Sequence, residues 1–169
     1  MNNDTKDVKK LSIYSLTYAH IITYIILIYC IIIPVINKMG INDKTLDLFK
    51  SYYIDNKFKH LIIDFFVIYF IIKTSEKLPF KLPPLYNRIL VIIIFDLLLT
   101  IYINKSPYQT GTIKFLKEWS LTVGWFAILW DLFYINIVGK VADKINSYNI
   151  NQNYHLIIMG SIMFFIMHI

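Results

Sequence analysis

The sequence predicts an all-α integral membrane protein, a bundle of about five transmembrane helices with four as the alternative. Three observations support this prediction. Hydrophobic residues make up 57% of the 169 and charged residues only 17%, whereas soluble domains average about 45–50% and 25%. The apolar residues gather into five runs separated by polar stretches, and two runs reach the roughly 20 residues that cross a bilayer as a helix. This pattern excludes a disordered tail, a secreted disulfide scaffold and an ordinary cytosolic enzyme.

The five runs define a single transmembrane domain over residues 1–169. The first run is too long for the apolar segment of a cleavable signal peptide, so we expect it to remain as a span. The first and fourth runs can span unaided, but the second, third and fifth need flanking residues, local bilayer thinning or cover from protein. If the second or fifth run lies in the interface instead, four spans remain. The predicted spans are approximately 11–36, 59–76, 87–104, 117–140 and 154–169.

The loop after the first span contains a short predicted helix, at approximately 44–54. The segment 42–45 reads Asn-Asp-Lys-Thr and supplies capping side chains for its start. Leu46, Phe49 and Tyr53 then recur on one face, with charged residues elsewhere. This pattern is typical of an amphipathic helix on a membrane surface.

The charge balance concerns the two membrane faces. Lys and Arg number 17 against 11 Asp and Glu, a formal charge of +6. Basic loops beside apolar spans favour contact with anionic lipid headgroups rather than nucleic acid. The basic residues divide almost evenly between the two faces, so the positive-inside rule predicts no orientation. We name the membrane face that carries the N-terminus side A and the opposite face side B.

Four ionisable residues fall inside the apolar runs. Asp64, Asp96 and Asp131 lie in the second, third and fourth runs, and His20 lies in the first. A carboxylate at the bilayer centre costs at least about 2.5–3.5 kcal/mol, so such residues need partners or a water-filled cavity. Counted at about 1.5 Å per residue, all four lie between about 10 and 14 Å below side A. The sequence therefore predicts one polar layer inside the membrane.

Other polar or small residues at helical spacing extend this predicted layer. His60 lies one turn before Asp64 and is expected to pair with it. Thr100 and Asn104 continue a stripe from Asp96. Small residues on the fourth run would let another helix approach Asp131 closely. The supporting residues are His60, Arg88, Thr100, Asn104, Ser120, Gly124 and Ser161.

Two interpretations of the polar layer are open. The carboxylates can be structural, each hydrogen-bonded to Tyr, Ser or Thr on a neighbouring helix, or they can exchange protons and bind cations. We find no motif of a hydrolase, protease or NTPase, and we expect no cofactor and no metal site. The first interpretation favours a non-enzymatic structural or assembly component of a membrane. The alternatives are a proton- or cation-coupled transporter or channel subunit, with His20 as a proton relay, and a membrane-embedded enzyme. Expected partners are lipid headgroups and copies of the chain or other membrane proteins.

Overall fold

The computed structural model describes residues 10–32, 34–35, 38, 44–52, 57–80, 82–107 and 111–148, with 154, 157, 158 and 161. Regular structure in these residues is entirely helical, which confirms the all-α prediction for them. The helices are α1 (Ile13–Ile32), α2 (Lys44–Lys50), α3 (Lys57–Ser75), α4 (Pro84–Lys105), α5 (Gly111–Val123) and α6 (Trp125–Ser147).

Local sequence explains where the long helices begin. Ser12 caps α1, because its hydroxyl oxygen accepts the backbone N–H of Ser15 at 3.0 Å. Pro84 opens α4, where its missing N–H costs nothing and its fixed φ suits a first turn.

From Ile25 onward α1 widens into a π-helix that runs to Ile32. Pro34 follows two residues later, and a proline cannot donate to the preceding turn.

Among the described residues, three helices are long and apolar enough to cross a membrane, by length and composition. They are α1, α4 and α6, at 20, 22 and 23 residues. The third predicted span, 87–104, corresponds to α4, which begins three residues earlier. The second predicted span corresponds to α3, with 19 residues. The fifth predicted span, 154–169, lies mostly outside the described residues.

The four long helices pack in a ring. Helix α1 lies against α6 and α3, and α4 lies against α3 and α6. One hydrophobic core joins all four, from Leu16 on α1 through Ile72 on α3 and Ile92 on α4 to Val138 on α6. The ring therefore encloses an interior that is shared by α1, α3, α4 and α6.

The side A end of the ring is held by two ion pairs. Lys73 contacts Glu76 at 2.8 Å and also donates to the carbonyl oxygen of Leu11. The backbone N–H of Leu11 donates to Glu76 at 3.0 Å, which ties the start of α1 to the end of α3. Arg88 on α4 pairs with Asp143 on α6 at 3.3 Å. These contacts bring the starts of α1 and α4 to the same end as the ends of α3 and α6.

A layer of aromatic rings closes the side B end. Tyr52, just after α2, stacks on His60 with ring centroids 3.7 Å apart and on Phe115 of α5 at 5.2 Å. Trp119 lies 5.8 Å from Tyr52 and 6.3 Å from Phe49. We call Phe49, Tyr52, His60, Phe115 and Trp119 the aromatic layer. It joins the two short helices to each other and to the start of α3.

The fourth predicted span requires a correction. We predicted one helix over approximately 117–140, but the helix is interrupted at Gly124, between α5 and α6. Gly124 has φ +54° and ψ −130°, a conformation that residues with a Cβ rarely adopt. Its N–H still donates to the Ser120 carbonyl at 3.0 Å. The long helix therefore begins at Trp125 and continues beyond 140 to Ser147.

The surface helix of the first loop is shorter than predicted. Helix α2 ends at Lys50, with Ser51 and Tyr52 continuing as a wider turn, against a predicted end near 54. Phe49 belongs to the predicted apolar face, and it packs in the aromatic layer. Tyr52, which was not part of that predicted face, packs there as well. The predicted position Tyr53 lies outside the described residues, as does the side chain of Leu46.

The break at Gly124 can be tested by substitution. Gly124→Ala forces a side chain into a strained backbone conformation, so we expect a loss of about 1–3 kcal/mol of unfolding free energy. The matched control is Leu121→Ala, on the same segment, because Leu121 is 80% exposed. Thermal or denaturant unfolding in detergent micelles measures both. Equal stability of Gly124→Ala and the parent would contradict this backbone conformation.

Candidate functional site

A cavity of about 540 Å³ lies between α3, α4, α5 and α6. Most of its wall is apolar, with Val67, Phe95 and Ile128 as examples. The three predicted carboxylates, Asp64, Asp96 and Asp131, all line it, one from each of three helices. The structure therefore brings these acids to one space between α3, α4, α5 and α6.

Asp64 is the carboxylate nearest the aromatic layer. Its Oδ1 accepts the hydroxyl of Tyr52 at 2.5 Å. The predicted pairing of Asp64 with His60 does not form. Instead His60 stacks on the Tyr52 ring, and its Nδ1 is buried without a hydrogen-bond partner among the described residues. Tyr52 takes the place of the histidine because α2 folds back over the start of α3.

Asp96 is the most deeply buried of the three. It lies at the middle of α4 and is 7% exposed. Its Oδ2 is buried and receives no hydrogen bond from any described residue. A buried carboxylate oxygen in this state carries the full cost of lost hydration. Asp96 thus carries an acceptor that no described residue satisfies and that a bound proton can satisfy.

Asp131 connects the other two acids. It extends into the cavity from α6 and interacts electrostatically with both Asp96 and Asp64. The ion pairs formed by the described residues, Lys73–Glu76 and Arg88–Asp143, lie at the side A end. None of the described lysines and arginines therefore forms an ion pair with the three cavity carboxylates.

His20 lies behind the cavity wall, and Tyr134 links it to the cavity. The fully buried ring donates from Nε2 to the Leu61 carbonyl at 3.0 Å, since a carbonyl only accepts. Nδ1 of the neutral ring then accepts the Tyr134 hydroxyl at 3.2 Å. Tyr134 itself lines the cavity. Because both ring nitrogens are hydrogen-bonded, His20 positions Tyr134. The His20 ring does not contact the cavity carboxylates directly, as the predicted proton relay would require.

The predicted supporting residues divide into two groups. Thr100, Ser120 and Gly124 line the cavity. The others lie elsewhere: Arg88 is buried at the side A end against Asp143 and Gly139, and Asn104 is exposed. Ser161 is helical and exposed, in a region where most neighbours lie outside the described residues.

Sequence reasoning missed two cavity residues. Tyr52 was not considered because it lies in a loop between apolar runs, yet its ring and hydroxyl reach Asp64. Trp119 lies within the fourth predicted span, and its position in the cavity wall on α5 was not predicted either. The signal that could have found both is the aromatic spacing on the two short amphipathic helices, which predicts that their apolar faces pack against another apolar surface.

The cavity offers three carboxylates in a mostly apolar wall. Among the described residues, no three His, Cys, Asp or Glu side chains converge closely enough to hold a metal ion. The carboxylates instead surround a space large enough for a small molecule, since ligand sites occupy about 300–1,000 Å³.

No protein-family model, curated protein or solved structure matches this chain.

The link between His20 and the cavity gives a stability prediction. Tyr134→Phe leaves Nδ1 of His20 buried and unpaired, so we expect a loss of about 1–3 kcal/mol of unfolding free energy. The matched control is Tyr102→Phe, because Tyr102 is 60% exposed on α4. Unfolding in the same micelles compares the two. If both variants unfold like the parent, Tyr134 does not hold His20.

Proposed function

We propose that this chain is a multi-pass membrane protein that binds protons or a monovalent cation in its acidic cavity, as a transporter or channel subunit. In this proposal α1, α3, α4 and α6 cross the bilayer, with the apolar run at 154–169 as a fifth span. The observation that carries it is the three carboxylates around one cavity, with Asp96 Oδ2 unpartnered among the described residues.

The outward faces of the helices support placement in lipid. Helix α3 carries three lysines and an aspartate, which lowers its average apolarity. However, Ile62, Phe66 and Phe70, spaced four residues apart, are exposed on its outer face. At about 1.5 Å per residue, its 19 residues extend about 28 Å, close to the roughly 30 Å hydrocarbon core. Its polar residues Asp64 and His60 face other helices instead.

The hydrogen bonding of the acids favours this function over a purely structural role. A structural carboxylate is expected to be saturated by neighbours, as Asp64 is by Tyr52. Asp96 is not saturated in this way, although it is deeply buried. Three carboxylates without a basic partner in an apolar cavity are stabilised by binding protons or a cation. This requirement is the chemical basis of the proposed cation site.

The proposal extends to partners. One bundle of about five helices is small for a transporter, so we propose that the chain works as a homo-oligomer or with another membrane protein. The lysine-rich loops on both faces would lie against anionic lipid headgroups.

A flux assay tests this function. The full-length chain is reconstituted in liposomes that contain a pH-sensitive dye, and a potassium diffusion potential with valinomycin drives cations inward. We expect proton flux above that of empty liposomes, or flux of Na⁺ reported by a Na⁺-sensitive dye. Asp64→Asn, Asp96→Asn and Asp131→Asn should each lower it by about tenfold or more, because each removes a charge from a shared low-dielectric site.

The matched control is Asp47→Asn, which removes an exposed carboxylate on α2 outside the cavity. It should retain the parental flux. Equal insertion of all variants is checked by their yield in the membrane fraction. Flux that is absent from the parent, or unchanged in all three cavity variants, would contradict the proposed function.

A further inference from the structure

We infer that the cavity binds an organic monocation, an ammonium group carried on an apolar or aromatic body. This inference rests on the proposed cation-binding function and names the substrate class of the same site. It follows from the cavity's size, its charge and the composition of its wall, which are three separate observations.

The size of the cavity fits an organic ligand better than a single bare inorganic ion. Its volume of about 540 Å³ is that of a small-molecule site. A divalent ion needs several oxygen ligands that converge at bonding distance. No such group of three His, Cys, Asp or Glu side chains occurs in the described part of the chain.

The charge of the cavity selects for a cation. Asp64 accepts a hydrogen bond from Tyr52, which offsets part of its negative charge. Asp96 keeps a buried oxygen with no partner among the described residues, and Asp131 lies within electrostatic range of both other acids. A positive group near Asp96 and Asp131 would therefore be attracted by the whole cluster.

The aromatic wall favours an organic rather than a hydrated cation. Tyr52, Trp119, Trp130 and Tyr134 line the cavity, and the rings of Trp130 and Tyr134 stack with centroids 6.0 Å apart. An alkylammonium group that contacts the face of such a ring is attracted by its π-electrons. The aliphatic side chains between them cover an apolar body. An inorganic ion with its water shell would gain neither contribution.

The ammonium group can come from a soluble amine or from a lipid headgroup, and the binding experiment separates these sources. The purified full-length chain is placed in nanodiscs of phosphatidylglycerol, with or without phosphatidylethanolamine. Binding of benzyltrimethylammonium is measured by quenching of tryptophan fluorescence, with empty nanodiscs subtracted. The neutral probe is neopentylbenzene, which has the same shape with carbon in place of the charged nitrogen.

We expect the charged probe to bind at least about tenfold more tightly than its neutral counterpart. Asp96→Asn should weaken its binding by about tenfold or more, whereas Asp47→Asn should leave it within about twofold. Weaker binding when phosphatidylethanolamine is present identifies the lipid amine as the ligand. Unchanged binding in that lipid identifies a soluble amine. Either result supports the inference.

Equal binding of the two probes, or equal binding by Asp96→Asn and the parent, would overturn the inference. The flux assay distinguishes its failure from that of the proposed function. If Asp-dependent flux persists while the organic cation does not bind, the cavity serves protons or inorganic ions, and only the substrate class is wrong. If both assays fail, the cation site itself is wrong.

Discussion

With the helices placed in a bilayer as proposed, the structure depends on one constraint, the cost of placing a carboxylate against hydrocarbon. This cost fixes how α3, α4 and α6 rotate about their axes. Phe66, Leu98 and Phe133 are exposed on the three helices, at 63%, 62% and 52%, while the aspartates of the same helices line the cavity. Turning any helix by half a revolution would exchange an apolar ring or branched side chain for a charge. The cavity therefore results from three helices that each turn a carboxylate away from hydrocarbon.

The two ends of the ring are built differently, and this difference bears on function. At the side A end, the Arg88–Asp143 ion pair joins α4 to α6, and hydrogen bonds from Leu11 to Glu76 and from Lys73 to Leu11 join α1 to α3. The side B end is closed by stacked rings on short helices, next to the backbone break at Gly124. The cavity wall includes Tyr52 and Trp119 of the aromatic layer, as well as Gly124 itself. A cation that reaches the carboxylates from side B would thus pass aromatic faces first.

The sequence was most informative where helical geometry alone decides the outcome. The spacing of Asp64, Asp96 and Asp131 from the ends of their runs predicted a common depth, and the structure places all three on one cavity. The helix that contains Asp96 could be recognised because its apolar run continues for about four turns. These predictions needed only the rise per residue and the cost of a buried charge.

Other features depend on contacts between distant segments, which hydropathy cannot reveal. The break at Gly124 lies inside a continuous apolar run, so composition predicted one helix there, whereas the positive φ of a single glycine decides the geometry. Asp64 bonds Tyr52 rather than His60, because tertiary folding of α2 brings a better donor than the neighbour on the same helix. Arg88 reaches Asp143 across the ring and leaves the polar stripe of its own helix.

The central claim is that the three carboxylates face one shared space, and cross-linking tests it most directly. On a Cys30→Ser background, Asp64→Cys with Asp131→Cys is treated in nanodiscs with a two-carbon bismethanethiosulfonate. Intact mass after quenching with N-ethylmaleimide counts the bridged chains. The control pair is Asp64→Cys with Leu98→Cys, since Leu98 lies on the outer face of α4. The account predicts bridging in the first pair and single-ended adducts in the second. Bridging that is equal in the two pairs, or absent from the first, would contradict it.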